Sequence, residues 1–129
     1  MAKALAVGAA ATKVACDALL ARLNGGVFRL LSSAPATLAD VGFNATAFGG
    51  ATSAVPAVAT ANALTPSGTP TAGTIASAQW RTSGAVVDVT FTIGTATSDM
   101  IVADPVIPGG ATSVTVSGLT FSLEIGPTP

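Results

Sequence analysis

Thr74-Ile-Ala-Ser-Ala-Gln-Trp-Arg-Thr82 and Ala85-Val-Val-Asp-Val-Thr-Phe-Thr-Ile93, joined by Ser83-Gly84, are the stretch from which the fold can be read. Ser-Gly between two runs of β-forming residues is a tight-turn signal, so the pair is read as a hairpin. Along the return run Val87, Val89, Phe91 and Ile93 fall on one face, while Asp88, Thr90 and Thr92 fall on the other. That is the pattern of a half-buried antiparallel strand. Trp80, the only tryptophan, carries a large apolar body and is expected in the core beside this hairpin.

The same period of two extends in both directions. Upstream, Val27-Phe-Arg-Leu-Leu31 reads as a short strand, Ser32 to Ala39 as a loop, and Val41 to Phe48 as a loosely alternating strand ended by Gly49-Gly50. Val55 to Leu64 reads as a weaker strand with Pro56 at an edge or a strand start, because proline donates no ladder hydrogen bond. Thr65-Pro-Ser-Gly-Thr-Pro70 reads as a turn cluster. Downstream, Gly94 to Asp99 is a loop and Met100-Ile-Val102 a short strand, with Pro105 and Pro108-Gly109-Gly110 breaking the chain. In the last run Val114 and Val116 are apolar at even positions, but Leu119, Phe121, Leu123 and Ile125 at odd ones. One residue must be absorbed between them, and Gly118 is where that costs least.

Before Val27 the period is helical. Leu5, Thr12, Cys16, Leu19, Leu20 and Leu23 fall on one stripe, with Ala9 filling the gap. Lys13 and Asp17, four apart, can pair on another face. Asn24-Gly25-Gly26 supplies a left-handed stop. The spacing therefore predicts a helix from Ala4 to Leu23, frayed before Val7. Together these elements give a mainly β chain: an antiparallel β-sandwich or barrel of about seven short strands with an N-terminal α-helix. Residues 1–26 form the helix and its cap and 27–129 the β domain, within one structural unit.

Composition bounds what such a unit can do. The 129 residues carry five Lys plus Arg, six Asp plus Glu and no His, for a net charge of -1. That offers no basic footprint for nucleic acid and no polybasic segment for a membrane surface. Charged residues are only 9% of the chain, and none occurs between Asp40 and Arg81. A surface this neutral suits standing against neighbours more than diffusing alone. Mean hydropathy is +0.68, but Gly, Pro, Ser and Thr interrupt every apolar run well short of the roughly 20 residues a membrane span needs. Lys3 ahead of a short apolar run imitates a signal peptide, yet the run is weak and Lys13 and Asp17 follow at once, so it is read as part of the mature chain. A single cysteine, Cys16, permits no internal disulfide and fits a reducing cytosol. Its place on the apolar stripe marks it as a small buried hydrophobe.

Chemistry finds few candidates. General acid-base catalysis needs a group titrating near working pH, and both His and Tyr are absent. Asp17, Asp40, Asp88, Asp99, Asp104 and Glu124 are isolated in sequence. A converging carboxylate pair of the glycosidase type stays open, but each acid has a plainer place. Asp17 belongs to the polar helix face, Asp88 and Glu124 to outward strand positions, and Asp40, Asp99 and Asp104 to turns. Asp99 and Asp104 offer too few oxygens for calcium. One cysteine makes no zinc site, and neither a nucleophile elbow nor a phosphate loop is present. Phe28, Phe43, Phe48, Phe91 and Phe121 mostly alternate with small polar residues, as core strand positions do, so no open stacking platform is expected. Neither cofactor nor metal is implied.

Several segments together carry a resemblance. Leu19-Leu-Ala-Arg-Leu-Asn-Gly-Gly26 runs into a strand with a central Arg29. Phe43-Asn-Ala-Thr-Ala-Phe-Gly49, Ala59-Thr-Ala-Asn-Ala-Leu-Thr65, the Trp80 hairpin and Ser113-Val-Thr-Val-Ser117 follow. In layout this resembles small virion structural proteins of tailed bacteriophages, which join an Ala-rich N-terminal helix to a compact β domain. The resemblance implies a capsid decoration (cement) protein: made in the host cytoplasm, set on the capsid exterior, contacting copies of itself (as a trimer) and the major capsid protein. A phage tail component, and a surface adhesion or carbohydrate-binding β-sandwich module with an exposed Trp80, are the alternatives. Arg29 reads equally as an ordinary outward strand residue. If the helix reaches a neighbour, Leu5, Leu19 and Leu23 are its candidate assembly contacts; covering its own sheet is the commoner arrangement.

Overall fold

The computed structural model describes residues 7–123. One helix, α1 (Ala9–Ala21), precedes ten strands: β1 (Val27–Leu31), β2 (Thr37–Gly42), β3 (Ala57–Thr60), β4 (Thr65–Ser67), β5 (Gly73–Thr74), β6 (Ser77–Arg81), β7 (Val87–Gly94), β8 (Met100–Ile101), β9 (Val106–Ile107) and β10 (Thr120–Leu123). Six of them form a curled sheet in the order β4-β2-β1-β6-β7-β8, and β10-β3 and β5-β9 form two small antiparallel pairs. The mainly β, sandwich- or barrel-like class read from the sequence holds. Among the described residues the strands number ten rather than about seven, and the large sheet is mixed because β8 runs parallel to β7.

The helix is shorter than its stripe implied. Gly8 is extended (φ -67°, ψ 164°) and caps the helix, so Val7 lies outside it; positions 4–6 lie outside the described residues. A glycine is a poor interior helix residue, which accounts for the start at Ala9. At the other end Gly25 takes a left-handed φ of +67°. Gly26 is required for a different reason: a Cβ there would meet the Arg81 carbonyl oxygen at 2.0 Å. The absence of a side chain lets the helix end lie against β6. Thr12, Cys16, Leu20 and Leu23 are buried in the same core as Phe28, Val41 and Trp80, so helix and strands share one interior. The helix packs along β3 and touches β10 of its own chain.

The hairpin forms as expected between β6 and β7, with one refinement. Trp80 pairs with Val89 but Arg81 pairs with Val87, leaving Asp88 as an extra residue in a bulge. The bulge breaks the alternation: Phe91 and Ile93 keep the inner face, while Val87 sits opposite Arg81 and is 41% exposed. A second bulge, at Leu38, puts Leu38 and Ala39 both into the core and begins β2 at Thr37, inside the stretch read as a loop. Residues 43–48, read as a strand, are instead a bent segment with one bridge at Phe48. Asn24 Oδ1 accepts the Ala47 N–H at 2.8 Å and Asn62 Nδ2 donates to the Thr46 carbonyl at 2.7 Å, which fixes the bend. The 65–67 turn cluster is in fact β4, an edge strand where Pro66 is tolerated because its outer side needs no donor.

These elements converge on Trp80. Phe28, Phe43, Phe48, Phe91 and Phe121, which are all the phenylalanines of the chain, have ring centroids 5.4–6.0 Å from its ring. Several meet it edge-on or tilted, arrangements favoured by the ring quadrupoles. The indole is 3% exposed.

Candidate functional site

Charge is where chemistry would begin, and among the described residues the fold places most charged side chains in structural roles. Lys13 Nζ lies 2.6 Å from Asp17 Oδ2 one helical turn on, and the other oxygen of Asp17 accepts the Ala51 N–H at 2.8 Å. The Lys13 hydrogen bond, then the Ala51 amide, hold the Asp17 carboxyl below its ordinary range. Arg22, just past α1, grips the bulged Asp88 through Nε (2.6 Å) and Nη2 (3.1 Å), tying the helix end to the hairpin and lowering the Asp88 pKa. Arg29 and Asp40 are direct partners across β1 and β2 and meet side-on at 2.8 and 2.9 Å. Asp40 is therefore a strand residue with a cross-strand partner, not a turn residue, and its carboxylate raises the Arg29 pKa.

The remaining acids close loops. Asp99 Oδ2 accepts from the Thr92 N–H (3.0 Å) and hydroxyl (3.2 Å), and the Asp99 N–H donates back to Thr92 Oγ1 at 3.0 Å. This reciprocal clasp lets a loop of five residues bring β8 alongside β7 in parallel, a pairing that ordinarily needs a long crossover. Asp104 Oδ1 accepts the Val106 N–H at 3.0 Å. Glu124 lies outside the described residues. Among the described residues no three His, Cys, Asp or Glu side chains gather as a metal site. Cys16 is fully enclosed, and burial, then the neighbouring Asp17, push its thiol pKa up, away from reactivity.

Several exposed patches are apolar. Ala10, Ala11, Val14, Ala18 and Ala21 face outward on α1, with Val14 68% exposed. A helix on a solvated surface ordinarily carries polar residues on that face. Val86 is 52% exposed in the hairpin turn, and Ile101 and Val106 are 62% and 51% exposed on β8 and β9. Between β8 and residues 114–120 runs an open groove of about 600 Å³, floored by Phe28, Leu30, Ile93 and Leu119. A neighbouring hollow of about 450 Å³ reaches Trp80, Phe91 and Phe121. The indole Nε1 is enclosed without a hydrogen-bond acceptor among the described residues.

The expected contact residues fare unequally. Leu23 is 0% exposed and belongs to the chain's own core, which corrects its assignment as an assembly contact. Leu19 is half-buried, and Leu5 lies outside the described residues. Val14, which the stripe left on the far side of the helix, is the residue the helix presents. Its signal was available as a β-branched apolar residue opposite the stripe. Trp80 is too enclosed to serve as an open platform for sugars. No helix among the described residues is long and apolar enough to cross a membrane. Comparison with known protein families, characterised proteins and solved structures finds no match.

Proposed function

We propose that this chain is a non-enzymatic structural subunit of a virion, a capsid decoration protein that binds copies of itself and the major capsid protein on the outside of a phage head. The observation that carries the reading is the outward face of α1, where Val14 stands exposed among Ala10, Ala11, Ala18 and Ala21, with only the paired Lys13, Asp17 and Arg22 at its margins. Such a face gains by being covered, at roughly 25 cal/mol per Å² of apolar surface removed from water. The pairing of Lys13, Arg22 and Arg29 with carboxylates of the same chain supports it further, since each of these partly exposed cations is already neutralised by its own partner. Many weak apolar contacts, repeated by lattice symmetry, then supply binding without any single strong site. The virion assignment itself comes from the resemblance in sequence layout.

Co-sedimentation with heads assembled from the major capsid protein of the same genome tests this. Saturable binding is expected, weakened by Val14→Lys, which adds a charge to the outer helix face without touching the core. A wild-type chain that neither self-associates nor pellets with heads would end the proposal.

A further inference from the structure

We propose that residues 113–117 are an open edge strand completed by the same segment of a second copy, running antiparallel about a two-fold axis at Thr115. The inference rests on the reading of the chain as a self-associating subunit and names the surface that joins two copies.

The backbone carries the first part of the argument. Residues 112–118 make no backbone hydrogen bond to any described residue, although they directly precede β10. Val114 and Val116 nevertheless pack against the core, while Ser113, Thr115 and Ser117 are exposed. That alternation is the side-chain pattern of a strand lying on a core. Gly118, with φ +64°, turns the chain between this segment and β10 and separates their registers. The result is a strand-like segment whose N–H and C=O groups have no ladder among the described residues. Proteins that keep such edges to themselves place lysine, proline or a charge on them. This one has none: no charged residue lies between Asp104 and Glu124.

The side chains carry the second part. Ser113-Val-Thr-Val-Ser117 reads the same in both directions. Antiparallel pairing about Thr115 therefore sets Ser113 against Ser117, Val114 against Val116 and Thr115 against its own copy. Like thus meets like on both faces, and Thr–Thr and Val–Val are favourable cross-strand pairs. An isologous contact needs this self-complementarity and closes with two chains instead of growing into a fibre. It predicts an even-numbered assembly in place of the trimer implied by the resemblance. The groove beside the segment, lined by Ile93, Met100 and Val102 on its far side, leaves the edge open to an incoming strand. Asp99 and Asp104 also line the groove, but their carboxylates already accept from Thr92 and from the Val106 N–H, so the self-complementary, uncharged segment itself is what favours a second copy as the occupant.

The test uses the full-length chain. Directly opposed residues have Cβ atoms about 4.5–5.5 Å apart, within reach of a disulfide for Thr115→Cys. Ser113→Cys would face Ser117 of the other copy and find no thiol. Cys16 is buried and does not interfere. Mild oxidation should cross-link Thr115→Cys into a dimer on a non-reducing gel and leave Ser113→Cys monomeric. Thr115→Lys, which sets like charges face to face, should weaken self-association about tenfold by sedimentation equilibrium while the thermal midpoint of the dilute protein stays unchanged. If wild-type protein self-associates but Thr115→Lys does so equally and Thr115→Cys fails to cross-link, the pairing is wrong and the subunit reading stands. If wild-type protein is monomeric at every concentration and ignores capsids, both fall.

Discussion

The two ends of the β domain are built on different principles. The strands β1, β2, β6 and β7 are five to eight residues long and pair along nearly their whole length, and every other aromatic ring of the chain lies against Trp80. From residue 95 to residue 118 the chain forms only the two-residue strands β8 and β9, and the rest is held by side-chain clasps, a few isolated backbone hydrogen bonds at residues 102–111, and packing. The first region is finished within one chain. The second leaves the backbone of residues 112–118 without a partner among the described residues, and apolar side chains beside an open groove. The difference teaches where the molecule is a scaffold and where it is a surface.

The largest test of that contrast is a pair of truncations. Trp80→Ala should cost about 3–5 kcal/mol of stability, because it empties the centre of the ring cluster. Val116→Ala, a half-buried residue on the open side, should cost under about 1.5 kcal/mol in the dilute protein. Urea denaturation measures both, and equal losses would erase the distinction. Next comes the junction of helix and hairpin. Gly26→Ala must push a methyl group into the Arg81 carbonyl and should cost about 1–3 kcal/mol, whereas Gly109→Ala, with open space around it, should be nearly silent.

A smaller effect sharpens the role of the ion pairs. A double-mutant cycle on Arg29→Ala and Asp40→Ala should give a coupling of about 0.5–1 kcal/mol, as for partly exposed side-on pairs. The smallest is in the pH dependence. The carboxyls of Asp17 and Asp88 are lowered by Lys13 and Arg22, respectively. A depressed carboxyl pKa stabilises the fold above the unfolded-state value, and that contribution is lost as pH falls through the folded value. With no histidine, the thermal midpoint should be flat between about pH 5 and pH 8 and should decline below about pH 4. A transition near neutrality would contradict this placement of the charges.

Much of the scaffold was legible in the sequence. The Ser83-Gly84 turn, the 3.6-residue spacing of Thr12, Cys16 and Leu20, and the phase change at Gly118 are each local signals with one dominant physical meaning. The surface was less legible because its signals depend on partners distant in sequence. The bulges at Leu38 and Asp88 reverse which side chains point inward, and nothing local announces them. Thr65-Pro-Ser67 has turn composition yet serves as an edge strand, since β2 lies beside it to accept it. Phe43 and Phe48 share a core without sharing a strand, because Asn24 and Asn62 bend the segment between them. For the candidate site, the stripe correctly marked Leu23 as apolar, but burial within the chain, not contact with a neighbour, is what that marked. Val14 carried the outward signal.

Native-state amide hydrogen exchange at low and high protein concentration tests the central claim most directly, since it reports both regions at once. The amides of β1 and β6 should be protected equally at either concentration. Those of residues 113–117 should exchange fast in the dilute protein and become protected as concentration rises. Fast exchange at 113–117 at every concentration, with the protein remaining monomeric, would contradict the account.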